Sequence, residues 1–301
     1  MNKNQDTKPK VTVREIYDYT PHENAWTEVC LSGNVMELKV LERKPCNNLQ
    51  HTKRISKHEY YDKRTGEVKQ YRHGEPNQNH SRNMNRSFER LRRLINTNFT
   101  GAINELHITL TYAEMMNNFD RASKDFKRFW EKLSYHFRDL CLNYIRIFEP
   151  HQSGSWHIHL LLKSAKYCYL QIEQKEIETL WQHGMIKIKK TTGYDNVGAY
   201  FSVHLKHNAH DAEPTDKQHT KSERLLFYPP NKRFYGYSKG IDKPIIFCTT
   251  YQEALKLADE KYLTYSSSME IDLEYENDDE KVTINRIHRR QYNSKRTRKG
   301  E

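Results

Sequence analysis

Two histidines one residue apart, His157 and His159, lie in the run EPHQSGSWHIHLLL from Glu149 to Leu162. The apolar Leu160-Leu161-Leu162 that follows predicts a buried strand. Strand side chains alternate faces, so both imidazoles share one face, about 6.6 Å apart along the strand, and Ile158 takes the other. Such a pair can share one metal ion. The preceding segment Tyr144–Phe148 alternates and is β-branched and aromatic, which predicts a second strand. Pro150–Ser155 carries turn chemistry around Gly154. A hairpin centred near Ser153 then sets Glu149 opposite His157. Two imidazoles and one carboxylate with open positions suit Mg²⁺ or Mn²⁺ holding a substrate oxygen. A lone strand histidine is usually structural; a His-x-His pair with a glutamate across the hairpin is less often accidental. Cupin-type sites also use His-x-His but need a Glu four or five residues later, where this chain has Lys163 and Ser164.

A second chemical signal lies in Val197–His207, VGAYFSVHLKH, which predicts a short helix behind the Gly193–Asn196 turn. Tyr200, His204 and His207 fall at three- and four-residue steps and share a face, with Lys206 offset from it. A tyrosine hydroxyl titrates near 10, so it attacks phosphorus only where a metal polarises the phosphate or a cation steadies the phenolate. Alone, a tyrosine in a basic helix is core or surface in most proteins; here a metal-site candidate lies upstream.

These residues need elements to hold them. ELHITLTY, Glu105–Tyr112, alternates sharply and predicts a strand with His107, Thr109 and Thr111 on one face. Ser123–Leu140 predicts a helix with an apolar stripe of Phe126, Phe129, Trp130, Leu133 and Phe137. Leu170–Trp181 predicts another helix and Met185–Ile188 a short strand. Met84–Asn98 predicts a basic amphipathic helix, with Phe88, Leu91 and Ile95 inward and Arg86, Arg90, Arg92 and Arg93 crowding the rest. The expected class is α+β: a central antiparallel sheet flanked by helices.

The order ELHITLTY, then GSWHIHLLL, then a helix bearing Tyr200 and a lysine, resembles the HUH endonucleases, in particular the rolling-circle replication initiators of plasmids and phages. Ile158 fills the hydrophobic position of that motif, and the resemblance covers roughly Ser87 to Lys206. It implies an RRM-like antiparallel core and nicking of single-stranded DNA by a tyrosine with Mg²⁺ or Mn²⁺. Carried onto this chain, it makes Tyr200 the nucleophile and His157, His159 and Glu149 the metal ligands. The third motif usually reads Tyr-x-x-Lys; here Tyr200 is followed by Val203, His204 and Lys206. The helper is either Lys206 or His204. A second tyrosine is absent from its usual place, which points to the single-tyrosine type.

The whole chain of 301 residues carries a net charge of +11, a pI near 9.2 and a mean hydropathy of −1.01. That balance favours a polyanion, nucleic acid first. Arg86, Arg90 and Arg93, with the aromatic-basic patch around Lys232, Arg233 and Tyr235, are the candidate DNA contacts; for the patch, a strand packed on the sheet is the equal alternative. Five scattered cysteines without a CxxC exclude a zinc ribbon or disulfide framework. No signal peptide or long apolar run occurs, so the expected location is cytoplasmic, with no membrane partner. No GxxxxGK[ST] motif occurs, so unwinding is expected from a host helicase, with a host polymerase extending the origin.

The expected divisions are a basic β and loop region over 1–84, the nuclease core over 85–210, an extension over 211–270, and a charged, disordered tail over 271–301 that binds DNA nonspecifically. The first expectation for function is an initiator nicking the origin of a mobile element. The alternatives are a transposase or relaxase sharing the motifs, or a noncatalytic DNA-binding protein with a structural histidine pair.

Overall fold

The computed structural model describes residues 10–44, 51–71, 80–151, 153–205, 227–229, 232–275 and 278–296, with the side chains of 80–82, 202–205, 275 and 278–280 also left aside. In chain order the elements are β1 (Lys10–Ile16), β2 (Trp26–Ser32), β3 (Val35–Leu41), β4 (Thr52–Arg54), β5 (Glu59–Asp62), β6 (Glu67–Gln70), α1 (His80–Asn98), β7 (Glu105–Leu110) and α2 (Phe119–His136). They continue with β8 (Leu142–Pro150), β9 (Trp156–Ser164), α3 (Gln174–Trp181), β10 (Ile186–Lys190), α4 (Val197–Leu205), β11 (Tyr235–Tyr237), β12 (Ile245–Thr250), α5 (Tyr251–Lys256), β13 (Leu263–Tyr275) and β14 (Asp278–Asn293). Every strand pairing is antiparallel, in sheets accompanied by helices. The mixed α and β class expected from sequence is what forms. No described helix is long and apolar enough to cross a membrane.

The chain divides into two compact units, one built from Met1–His73 with Ile245–Glu301 and the other from Gly74–Pro244. These borders differ from divisions at 84, 210 and 270, because long-range strand pairing, invisible to composition, joins β1, β2 and β3 with β12, β13 and β14 in one sheet.

The Gly74–Pro244 unit holds a five-stranded sheet in the order β10-β7-β9-β8-β11. β8 and β9 form the expected hairpin, closed by the bonds His151 N–H to Ser155 O at 2.7 Å and Gly154 N–H to His151 O at 2.9 Å. Gly154 sits at φ +82°, a left-handed position that favours glycine. One sheet face carries Tyr144, Phe148, Trp156, Ile158, Leu160 and Leu162. It packs against α2, where Phe119 meets Trp156 at 5.1 Å and Trp130 meets Tyr144 at 4.2 Å between ring centres. α2 starts earlier than its apolar stripe suggests because Asn118 caps it, accepting the Arg121 N–H at 3.0 Å. The other face carries His107, Thr109, Glu149, His157 and His159, with α1 and α4 beside it.

In the other unit the sheet order is β1-β13-β14-β3-β2-β12, and β4-β5-β6 form a separate three-stranded sheet. Residues 63–66 form the turn between β5 and β6. The expected disordered tail over 271–301 is corrected: its described part is the end of β13 and all of β14, which runs between β13 and β3. Charged side chains of this segment are paired. Glu274 pairs with Lys281 at 2.8 Å, and Arg290 reaches Glu260 at 2.6 Å. Arg14 and Arg286 both grip the buried Glu270, holding its carboxyl below the usual range, Arg286 having the larger effect.

Candidate active site

The site begins with strand register. β9 pairs on one side with β8, so Glu149 lies across from His157 and Ile147 from His159. On its other side it pairs with β7, so Thr109 lies across from His159. The pleat turns His157 and His159 to one face while Ile158 is fully buried on the other. Leu160, Leu161 and Leu162 are also fully buried. Burying each such side chain stabilises by about 1.5–3 kcal/mol, against about 0.5–1.5 kcal/mol for a typical hydrogen bond. The leucines therefore fix the strand, and the histidines are not needed to hold it.

The polar side chains form two groups on this face. His159 Nε2 is 2.6 Å from Glu149 Oε2, and its Nδ1 is 3.0 Å from His107 Nε2. His159 thus bridges Glu149 and His107 through its two ring nitrogens. Thr109 Oγ1 stands 3.4 Å from both of these ring nitrogens, and Thr111 Oγ1 stands 3.4 Å from His157 Nδ1. His151, from the hairpin turn, stacks on His157 at 5.3 Å.

α4 brings in the tyrosine. Asn196 accepts the Ala199 N–H at 2.8 Å and starts the helix, as the turn chemistry predicts. Asn96 of α1 accepts the Gly198 N–H at 2.7 Å. A Cβ on Gly198 would collide with the Arg92 carbonyl of α1 and stand 2.6 Å from Asn96 Oδ1, so glycine lets α4 sit directly on α1. Phe201, next on the helix, packs edge-on to His107 at 4.8 Å. Tyr200 is half-buried and lines one cavity of about 360 Å³ together with Glu149, His157, His159, His107 and the β10 lysines Lys187 and Lys189. Its hydroxyl is pushed above the ordinary tyrosine value, first by burial, then by a hydrogen bond and charge repulsion with Tyr194, then by Glu149. The rings of Tyr194 and Tyr200 lie 4.6 Å apart. Tyr194 is therefore packed against the nucleophile candidate.

The structure thus brings four of the expected site residues, Glu149, His157, His159 and Tyr200, to one cavity. His204 falls within α4 with its side chain outside the described residues, and Lys206 lies outside them altogether. Arg86 and Arg90 are exposed on α1, whereas Arg93 is half-buried and bonded to Glu89 at 3.2 Å. Lys232 pairs with Asp120 at 2.7 Å, Arg233 is exposed, and Tyr235 is half-buried in β11 against β8. Of that patch, Tyr235–Tyr237 forms a strand on β8, and Lys232 and Arg233 precede it. Sequence reading missed Lys187 and Lys189 as cavity residues, since only register with Thr109 and His107 reveals their face. It missed His107 as a partner of His159, although the alternation of ELHITLTY already placed it on the right side.

Among the described residues no three His, Cys, Asp or Glu side chains are gathered about a common point. In donor type and shared face, Glu149, His157 and His159 fit a hard divalent ion.

Residues 105–208, about a third of the chain, match the family model for replication-associated proteins of the ORF2 kind, which supports a role in replication. The matched stretch starts with β7 and contains Glu149, His157, His159 and Tyr200. No curated protein matches the chain.

Proposed function

We propose that this chain is a metal-dependent endonuclease of the HUH type. It initiates rolling-circle replication of a mobile element by nicking single-stranded DNA at the origin. The observation that carries this reading is the shared cavity: Tyr200 lines the same space as Glu149, His157 and His159. The Tyr200 oxygen forms a bond to the scissile phosphorus and the bond to the 3′ oxygen breaks. The strand is left joined through its 5′ phosphate to Tyr200, with a free 3′-OH once the leaving oxygen takes a proton. The Tyr200 proton is lost to solvent. Glu149, His157 and His159 would hold Mg²⁺ or Mn²⁺, which supplies a Lewis acid for the phosphate oxygens when bound. Lys187 and Lys189 line the same wall and add positive charge where the transition state gains negative charge. His107 keeps the His159 ring in one orientation.

The test is incubation with labelled single-stranded DNA and Mn²⁺, followed by a denaturing gel. A covalent protein–DNA adduct is expected, lost in Tyr200→Phe. An adduct that survives Tyr200→Phe overturns the assignment of the nucleophile. A second reading, a DNA-binding protein without catalysis, draws on the Glu149–His159 hydrogen bond, which gives both groups a structural use. Binding with no adduct under any divalent ion would favour it.

A further inference from the structure

On the sheet face opposite the histidines, between α2 and β8, lies a second cavity of about 490 Å³, within the roughly 300–1,000 Å³ range of small-molecule sites. Its inner wall is Arg146. The guanidinium lies 4.6 Å over the Phe148 ring and 5.1 Å over Phe126. Gly236, its partner across the β8-β11 ladder, leaves room for it, since a Cβ there would stand 3.1 Å from Arg146 Nε. Among the described residues no carboxylate pairs with Arg146, and its Nη1 is buried without a hydrogen-bond partner. A buried cation costs free energy unless an anion or strong acceptor meets it. The Tyr144 hydroxyl answers only part of that need.

The rest of the wall agrees in chemistry. Lys124 and Lys127 on α2 and Lys232 line the same cavity with one carboxylate, Asp120, which is bonded to Lys232. Lys127 is also 3.9 Å from Glu131, an exposed pair worth little. Between the cations lie Trp130 and Tyr144, 4.2 Å apart between ring centres and tilted by 49°. Cations alone would suit any anion. Cations around a paired aromatic surface suit a phosphate that carries a flat ring, because a base stacks on the aromatics while the phosphate meets the lysines and Arg146.

We infer that the cavity between α2 and β8 is a nucleotide-binding subsite. It takes one phosphorylated nucleoside, free or as part of a DNA strand, on the face of the sheet away from Tyr200. The inference adds a site to the proposed function and does not depend on nicking.

The probe is thymidine 3′,5′-bisphosphate, titrated calorimetrically into the full chain, with thymidine and inorganic phosphate as separate titrants. Saturable binding is expected for the bisphosphate, weakened at least about tenfold in Lys124→Ala/Lys127→Ala and in Trp130→Leu. The lysine pair is exposed, so that variant keeps its fold even if Arg146→Gln does not. His157→Ala should bind the probe as wild type does. Loss in His157→Ala with no change in the lysine variant would put the probe in the histidine cavity, overturning this inference and leaving the nicking proposal intact. Equal affinity for inorganic phosphate would overturn the nucleotide assignment, as would unchanged binding in Trp130→Leu. Nicking that fails while the bisphosphate still binds through Lys124 and Lys127 would leave the subsite standing alone.

Discussion

His159 Nε2 lies 2.6 Å from Glu149 Oε2, although the β8-β9 ladder sets Glu149 across from His157. The carboxylate reaches diagonally over its own partner to the next histidine on the same face. Glu149 therefore touches one imidazole through its side chain and faces the other across the ladder.

Nicking should accordingly require divalent metal and stop on chelation. His157→Ala, His159→Ala and Glu149→Ala should each raise the metal needed for half-maximal adduct formation. His107→Ala should raise it about 10–100-fold, the usual cost of losing a residue that orients a ligand. Because the buried leucines hold β9, none of these changes should cost much more than about 1 kcal/mol of stability per hydrogen bond removed. Metal titrations with thermal unfolding on the same samples check both. A Glu149→Ala protein that needs no more metal than wild type would show that the third donor lies elsewhere.

Tyr200→Phe should bind DNA normally and form no adduct, since it removes only the hydroxyl. Tyr194→Phe should still form the adduct on Tyr200, at an altered rate, because it removes the hydroxyl bonded to the nucleophile. Peptide mapping of the adduct decides; DNA attached to a peptide bearing Tyr194 alone would reverse the two roles.

Gly198→Ala should separate packing from chemistry. The added Cβ meets the Arg92 carbonyl and Asn96, so α4 must shift off α1. Overpacking of this kind costs about 1–3 kcal/mol, and a displacement near 1 Å at a reacting group costs about 100-fold in rate. Single-turnover adduct formation should fall by that order while affinity for DNA is kept. Wild-type rates would mean that α4 does not set the Tyr200 position.

Lys187 and Lys189 line the cavity beside Thr109 and His107. If they meet phosphates, each alanine substitution should weaken binding about equally for all sequences and lower the salt slope by about one. Fluorescence titrations across a salt series measure this. An unchanged slope in the double variant would leave those lysines to solvent.

In the other unit, the buried His288 is held below its ordinary pKa, first by burial and then by Arg290. Its Nδ1 is 2.8 Å from Ser268 Oγ, and the rings of Tyr19 and Tyr251 flank it. A histidine kept neutral in the fold contributes stability that is fully present above its unfolded pKa of about 6.5. That contribution is lost as pH falls from there through the lower folded value. Thermal unfolding followed from pH 7.5 to 5 should show a decline that His288→Asn reduces. Equal declines in both proteins would locate the titrating group elsewhere.

Much of the candidate site was legible in the chain. Period-two alternation placed His157 and His159 on one face of their strand and His107 with Thr109 on one face of another, and the Pro150–Ser155 turn set Glu149 across from His157, because these are local rules of backbone geometry. Helical spacing and the Asn196 cap placed Tyr200 on a short helix. What the sequence did not reveal depends on contacts between distant segments. Only the packing of Gly198 on Arg92 and Asn96 decides that Tyr200 faces the histidine cavity. Only the β10-β7 register puts the exposed Lys187 and Lys189 on the cavity side of the sheet. The charges of 271–301 read as a solvated tail, since composition reports charge and not its partner. In the fold those charges neutralise Glu42, Glu260, Glu270 and Glu274, and β14 becomes an interior strand. A strand's own residues specify its alternation, but which strand lies beside it is settled by the burial and ion pairing that the whole chain achieves at once.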